Sequence, residues 1–241
     1  MAAPSRRSWL AHSTAMLAAT CAWTPSLGAQ TVVEQRSVAG FHALLWSAAG
    51  ELQIEQSGRE RLSIEAEPAV LAKIVTEVRD GRLSIGFAPG RIETRLPIRF
   101  RLEVKSLSAI EGQGSGRLRI GPLTGNALSL HLAASDELHL ARLSVQVLDA
   151  RLDGSGDVTI DAGQVDRQRI VISGAGNYSA ARMDSREADV AIDGSGEIQV
   201  AVSERLVARI AGSGDVLYSG QPRISQTIRG AGEVRRVAQK S

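Results

Sequence analysis

The feature that most constrains this chain is a three-residue phrase, Gly-Ser-Gly or a near variant, that returns at almost fixed spacing. It occurs as Gly114-Ser115-Gly116, a degenerate Ala134-Ser135-Asp136, Gly154-Ser155-Gly156, Gly174-Ala175-Gly176, Gly194-Ser195-Gly196, Gly212-Ser213-Gly214 and Gly230-Ala231-Gly232. Successive starts lie 20, 20, 20, 20, 18 and 18 residues apart. Periods of this size belong to solenoids, whose units bury an apolar side only by stacking on their neighbours.

Aligning the phrases produces columns. Two residues before the first glycine stand Leu132, Leu152, Ile172, Ile192, Ile210 and Ile228, with Gly112 as an exception. Four after it stand Leu118, Leu138, Val158, Tyr178, Ile198, Val216 and Val234, and six after it Ile120, Leu140, Ile160, Ala180, Val200 and Tyr218. Residues two apart on a strand share a face, so these columns point inward together. The phrase is then a corner between two strands of a coil. Glycine suits it by accepting backbone angles that a Cβ forbids and by letting coils approach to ~4.8 Å. The structural corner residues are Gly114, Gly116, Gly154, Gly156, Gly174, Gly176, Gly194, Gly196, Gly212, Gly214, Gly230 and Gly232. The intervening serine hydroxyls are placed to bond the neighbouring turn's backbone. A looser corner or bulge is expected at Ala134-Ser135-Asp136.

The expected fold is therefore all-β, a parallel β-helix of ~20-residue coils preceded by a less regular strand-rich part. Within residues 30–105, Leu44 to Ile54 echoes the repeat, with Ala48-Ala49-Gly50 in the corner position, so one more coil or a related hairpin begins there. Leu62 to Ala66 and Ile98 to Val104 alternate as half-buried strands, and Asp80-Gly81 between two such runs signals a tight hairpin. The division predicted is a signal peptide over 1–29, a strand-rich lead-in packed on the solenoid over 30–105, the repeat β-solenoid over 106–236 and a tail over 237–241.

The first 29 residues combine Arg6-Arg7, an apolar stretch from Trp9 to Trp23, and Gly28-Ala29 before Gln30, the pattern of an export signal too short and interrupted to span a membrane. Export to the periplasm, the outer-membrane surface or the medium is expected. The single cysteine, Cys21, lies in that segment, and Ala18-Ala19-Thr20-Cys21 departs from a lipoprotein box, which wants a small residue before the cysteine. With 28 basic and 26 acidic residues the formal charge is +2, and removing Arg6 and Arg7 makes it neutral. A neutral protein has no electrostatic footprint for nucleic acid.

The repeat resembles the head GIN domain family of putative auto-transporter adhesins. The resemblance rests on Asp153-Gly154-Ser155-Gly156-Asp157-Val158, Asp193-Gly194-Ser195-Gly196-Glu197-Ile198 and Ala211 to Pro222 with its late Tyr218-Ser219-Gly220-Gln221-Pro222. The lead-in order, with Asp80-Gly81-Arg82-Leu83-Ser84-Ile85 before the coils, also matches; the resemblance spans roughly residues 38 to 234. It implies a right-handed parallel β-helix and an exported location, and carries over no functional residues.

Carboxylates flank the corners, and Asp153, Asp157, Asp193 and Glu197 are the metal candidates, Ca²⁺ being the hard cation that oxygen ligands stacked at strand spacing would take. The plainer reading is a solvated acidic column, because isolated columns fall short of the about six to eight oxygens that calcium takes. No catalytic residues are assigned. Gly112-Gln113-Gly114-Ser115-Gly116 does not centre serine in a nucleophile elbow and lacks the helix of a phosphate loop. His131 and His139 alternate out of phase with the leucines beside them and should face solvent. Aromatics make up only 3% of the chain, too few for sugar-stacking platforms, and Tyr178 and Tyr218 fall in core columns. The function expected is a non-enzymatic exported module that binds an envelope glycan or protein. The alternatives are a carbohydrate-active β-helix enzyme using the acidic column, and structural assembly into a homo-oligomer through coil ends that Arg235, Arg236 and Lys240 would guard.

Overall fold

A computed structural model describes residues 30–238. The expected signal peptide with Cys21, and residues 239–241 of the tail, lie outside the described residues.

The chain begins with β1 (Val32–Arg36), β2 (Ala43–Trp46), β3 (Glu51–Gln56) and β4 (Arg61–Ala66), then the short helix α1 (Pro68–Leu71). The hairpin β5 (Ile74–Arg79) and β6 (Arg82–Phe87) follows, then β7 (Arg99–Val104). The repeat supplies β8 (Ala109–Gly112), β9 (Arg117–Thr124), β10 (Ala127–Leu132), β11 (Glu137–Leu152), β12 (Asp157–Ile160) and β13 (Gly163–Gly174). It ends with β14 (Asn177–Gly194), β15 (Glu197–Gly212), β16 (Asp215–Ser219), β17 (Arg223–Gly230) and β18 (Val234–Arg236). All eighteen belong to one sheet wound into a β-solenoid of about 6 turns.

Each coil has three faces rather than the two a single glycine corner suggests. In β11 the alternation of buried and exposed residues is broken twice, at Ala141-Arg142 and at Gln146-Val147, where two consecutive residues are exposed. These are bends, and they divide the coil into a first face (Leu138, Leu140), a second (Leu143, Val145) and a third (Leu148, Ala150, Leu152) that turn their apolar side chains inward. Parallel pairing at one residue per coil stacks like on like, as in Leu118, Leu138, Val158, Tyr178 and Ile198.

The lead-in already contains coil. β2 and β3 lie under β8 and β9 in parallel register, Trp46 opposite Gly112 and Leu52 opposite Leu118. β6 and β7 form the next layer down, parallel to β2 and β3, although they come later in the chain. The Asp80-Gly81 turn is the expected hairpin, with φ of 51° and 74°. Antiparallel β1, β4 and β5 and the helix α1 finish this end.

The glycine corners separate two demands. The first glycine adopts positive φ in the later coils, +142° at Gly194, where its added Cβ would lie 2.1 Å from the Gly174 carbonyl oxygen. That oxygen accepts a 3.0 Å bond from the Ser195 backbone N–H, so each corner is laced to the one beneath by main chain. The serine hydroxyls do not reach the neighbouring backbone as expected; Ser135 and Ser155 bond each other at 3.2 Å.

The degenerate corner is closed rather than loose. Asp136 takes the place of the second glycine, is fully buried, and accepts bonds from the backbone N–H of Gly116 (2.7 Å) and Gly114 (2.9 Å) in the coil below. Register through it is unbroken, Glu137 facing Arg117. The exceptional Gly112 makes room for it, since a Cβ there would lie 2.7 Å from the Asp136 Oδ2 and 2.8 Å from Leu132. Burial raises the Asp136 carboxyl above the ordinary aspartate value, against the pull of the two amides. The buried Trp46 indole N–H has no hydrogen-bond partner but lies close enough to favour the charged carboxylate, and its ring meets Phe100 edge-on at 5.0 Å.

Candidate functional site

The acidic column follows from the corner geometry. Residues just after a glycine phrase repeat one above another, so a short acceptor side chain there lies beside the backbone N–H of the next coil. Asp157 Oδ1 accepts from the N–H of Asn177 (3.0 Å) and its Nδ2 (2.9 Å), Asn177 Oδ1 accepts from the N–H of Glu197 (3.1 Å), and Asp215 from that of Glu233 (2.9 Å). Asp153 instead meets Arg151 Nε at 2.7 Å and His131 Nε2 at 2.8 Å. Arg151 first, then His131, holds its carboxyl below the usual aspartate value. Asp193 is exposed, and Glu197 bonds Gln199 Nε2.

The four metal candidates are thus spread over two corners. Asp153 is separated from Asp193 by the coil carrying Ser173, and Asp157 from Glu197 by the coil carrying Asn177. Two coils at strand spacing are about 10 Å, whereas calcium binds oxygens at about 2.3–2.6 Å. One ion does not bridge the pairs. Among the described residues no three His, Asp or Glu side chains form a metal-holding group.

The histidines face outward as expected, and each finds a carboxylate in the next coil: His139 Nε2 lies 2.8 Å from Asp161 and His131 from Asp153. Both pairs are separated by 22 residues, one coil plus two, the diagonal neighbour on a parallel ladder. This signal was present in the sequence.

A second site lies among residues that no sequence motif singled out. Beside the second face a groove of about 710 Å³ runs across successive coils, from Ser144 and Gln146 past Gln164, Asp166, Asp184 and Arg186 to Ser203 and Gln221. Its floor is apolar, with Val145, Val165, Ala201 and Val202 all buried.

The groove coincides with the change of period from 20 to 18. Ala180 pairs with Val200, but Asp184 pairs with Ala201, so Ala181 to Met183 have no partners in the next coil. The bend between first and second faces is missing there, and Val200, Ala201 and Val202 are buried in succession. A shorter coil stacked on a longer one leaves a step.

A buried hydrogen-bond chain supports the groove. Beneath it the Tyr178 hydroxyl donates to Gln168 Oε1 (3.1 Å), Gln168 Nε2 to Ser185 Oγ (2.7 Å), and Ser185 Oγ to the Ala201 carbonyl (2.6 Å). Burial pushes the Tyr178 hydroxyl's pKa far up, so it stays a neutral donor. Arg186 is held over the rim by Glu204 at 2.8 Å. Ser219, 3% exposed, lines the groove with its Oγ unpartnered.

This coil stack has counterparts of known structure. A protein from Bacteroides fragilis described as a putative adhesin superposes with a TM-score of 0.82 at 22% identity, covering 86% of this chain and 97% of that one. A putative adhesin from Parabacteroides distasonis superposes with a TM-score of 0.72 at 19% identity over 87% and 98% of the two chains. A protein described as a putative lipid binding protein, also from Parabacteroides distasonis, gives 0.69 at 25% identity over 87% and 98%. The comparison with proteins of curated function finds no match. The family match spans residues 40–222, from the first buried strand of the lead-in through the late Tyr-Ser-Gly-Gln-Pro, and the chain belongs to the head GIN domain family of putative auto-transporter adhesins.

Proposed function

We propose that this protein is an exported, non-catalytic binding module that holds an extended envelope glycan along the groove beside its second face. The observation that carries this reading is the groove itself: amide, hydroxyl and charged side chains stacked from coil to coil over an apolar floor. Linear glycans present hydroxyls along their edges and C–H groups on their faces, and such a surface answers both. The parallel ladder beneath fixes the backbone spacing of these polar groups, so binding has only their side chains to order. The enzymatic alternative placed its chemistry on the acidic column, whose carboxylates serve corner amides and ion pairs and lie apart from the groove.

Export rests on the segment 1–29, and fractionation of cells expressing the full chain tests it. Among the described residues no helix is long and apolar enough to cross a membrane.

The binding test is a glycan array with the purified chain and Gln164→Ala and Gln221→Ala variants, both rim positions. Binding to envelope polysaccharides with a loss of about tenfold in the variants supports the reading. Absence of binding, or binding indifferent to both changes, overturns it. The apolar floor favours a second reading, an acyl chain, in keeping with the relative described as lipid binding. Displacement of a fluorescent fatty acid by lipid but not by glycan would select it.

A further inference from the structure

The two ends of the coil stack are finished differently. At the N-terminal end α1 buries Val70 and Leu71 against the core. Arg36 ties this cap down by donating to the carbonyls of Ile74 (2.7 Å) and Leu71 (3.1 Å). At the other end β17 is exposed along all 8 of its residues. Ile224 and Ile228 continue the inward columns of Leu206 and Ile210, yet are 43% and 37% exposed. Solenoids ordinarily carry a polar cap at each terminus, because an open coil presents both apolar surface and unpaired backbone groups.

Charge shows what fits this edge. Within the stack, arginines on the outer surface reach a carboxylate of the adjacent coil: Arg117 to Glu137 (2.9 Å), Arg119 to Glu51 (3.2 Å), Arg209 to Asp189 (2.6 Å). On β17, Arg229 stands over Ala211 and Arg223 over Arg205; the one carboxylate near Arg223 is Glu204, which feels its charge but is ion-paired with Arg186 at 2.8 Å. Among the described residues β17 pairs with β15 alone, and its other edge is open.

We propose that β17 is a docking edge for an extended acidic strand of another polypeptide, which adds to the sheet as the next coil would. The facing pattern is acid, apolar, three residues, apolar, acid, matching Arg223, Ile224, Ile228 and Arg229. Because the pattern is symmetric, it suits either strand direction. Backbone bonds supply affinity and the alternate side chains supply selectivity, as in other strand additions. A second copy of β17 fits poorly, since it would set arginines against arginines in antiparallel register centred on Gln226.

The test is fluorescence anisotropy of the full chain with a labelled peptide Glu-Val-Thr-Thr-Thr-Val-Glu and its lysine counterpart. At low salt the acidic peptide should bind about tenfold more tightly, the difference shrinking as ionic strength rises. Arg223→Glu with Arg229→Glu should reverse the preference, and Ile228→Ser should weaken both; circular dichroism checks that these surface variants keep the fold. Equal affinities, no binding, or a preference unmoved by charge reversal overturns the proposal. So does a dimer by light scattering that excludes the acidic peptide, which would make a second copy the occupant.

Discussion

Replacing Gly194 by alanine tests whether the corners are required by the backbone. The φ of +142° lies in a region nearly reserved for glycine, and holding a side chain there costs about 2 kcal/mol. The new Cβ would stand 2.1 Å from the Gly174 carbonyl oxygen, so the two coils must part by nearly an ångström where the Ser195 N–H bonds that same oxygen. Overpacking of this kind adds about 2 kcal/mol. Alanine returns about 0.7 kcal/mol by stiffening the unfolded chain, leaving a net loss of about 3 kcal/mol. Two other glycines separate the terms. Gly58 has φ +78° and nothing within 4 Å of an added Cβ, so Gly58→Ala carries left-handed strain alone, about 1–2 kcal/mol, and should cost about 0.8 kcal/mol after the same correction. Gly196 lacks the positive φ but would meet the Gly176 oxygen at 2.1 Å, so Gly196→Ala should fall between, at about 1 kcal/mol. Urea unfolding followed by circular dichroism gives the three values, with exposed Ser195→Ala as the baseline. If Gly194→Ala proves no worse than Gly58→Ala, the contact between coils is soft and the backbone does not require glycine at the corners.

Asp136→Asn should show a pH dependence of known sign. The folded carboxyl titrates above its unfolded value, so the aspartate's contribution is fullest below the unfolded pKa and fades as pH rises through the folded one. Wild type should therefore lose ground relative to the variant between acid and neutral pH, as read from urea midpoints; a gap that widens with pH would contradict the assigned burial effect. Tyr178→Phe leaves Gln168 Oε1 without its donor and should cost about 1–2 kcal/mol in the same assay, more than a comparable change at the half-buried Tyr218. Because the four carboxylates are split between two corners and Asp153 and Asp157 already serve ion pairs and corner amides, millimolar calcium and EDTA should give the same melting temperature within about a degree. A calcium-dependent rise abolished in Asp157→Ala would restore a cation site.

What the sequence revealed about this fold is what repeats at the same distance from a glycine. Leu132, Leu152, Ile172, Ile192, Ile210 and Ile228 align because one face of every coil ends at the same corner, and each is inward at its end of the stack or in its core. The other two bends carry no repeating glycine phrase: Gly121-Pro122 and Gly125 mark them in one coil and Gly163 marks the first in another, but no residue type recurs there from coil to coil. They are made by paired outward residues such as Ala141-Arg142 and Gln146-Val147, whose chemistry is that of any exposed strand position, so a three-faced coil reads as a two-faced one. Asp136 was misjudged for a related reason: a charged residue replacing glycine looks like damage until the amides of Gly114 and Gly116 and the space left by Gly112 are known.

The groove marks the limit of that reading more sharply. The shortening from 20 to 18 residues is visible in the spacing of the glycine phrases, but the spacing states only that two residues are gone. Which face loses them is decided by packing. Met183 is fully buried in the longer coil, and in the shorter one Val200, Ala201 and Val202 run inward without a bend; three residues drop out between the first and second faces and one is regained between Ser185 and Glu187, which leaves the net loss of two. Had the two residues been lost beside the glycine corner, the acidic column would have been displaced and the second face left smooth. The polar groups that rim the groove are ordinary outward residues of their strands, Gln164 and Asp166 among them, and only the step beside them makes them converge. Restoring a 20-residue coil, by inserting a two-residue outward bend after Val200, is therefore expected to close the groove and abolish any binding that depends on it while leaving the corner ladder intact. Unchanged binding in such a folded variant would place the site elsewhere.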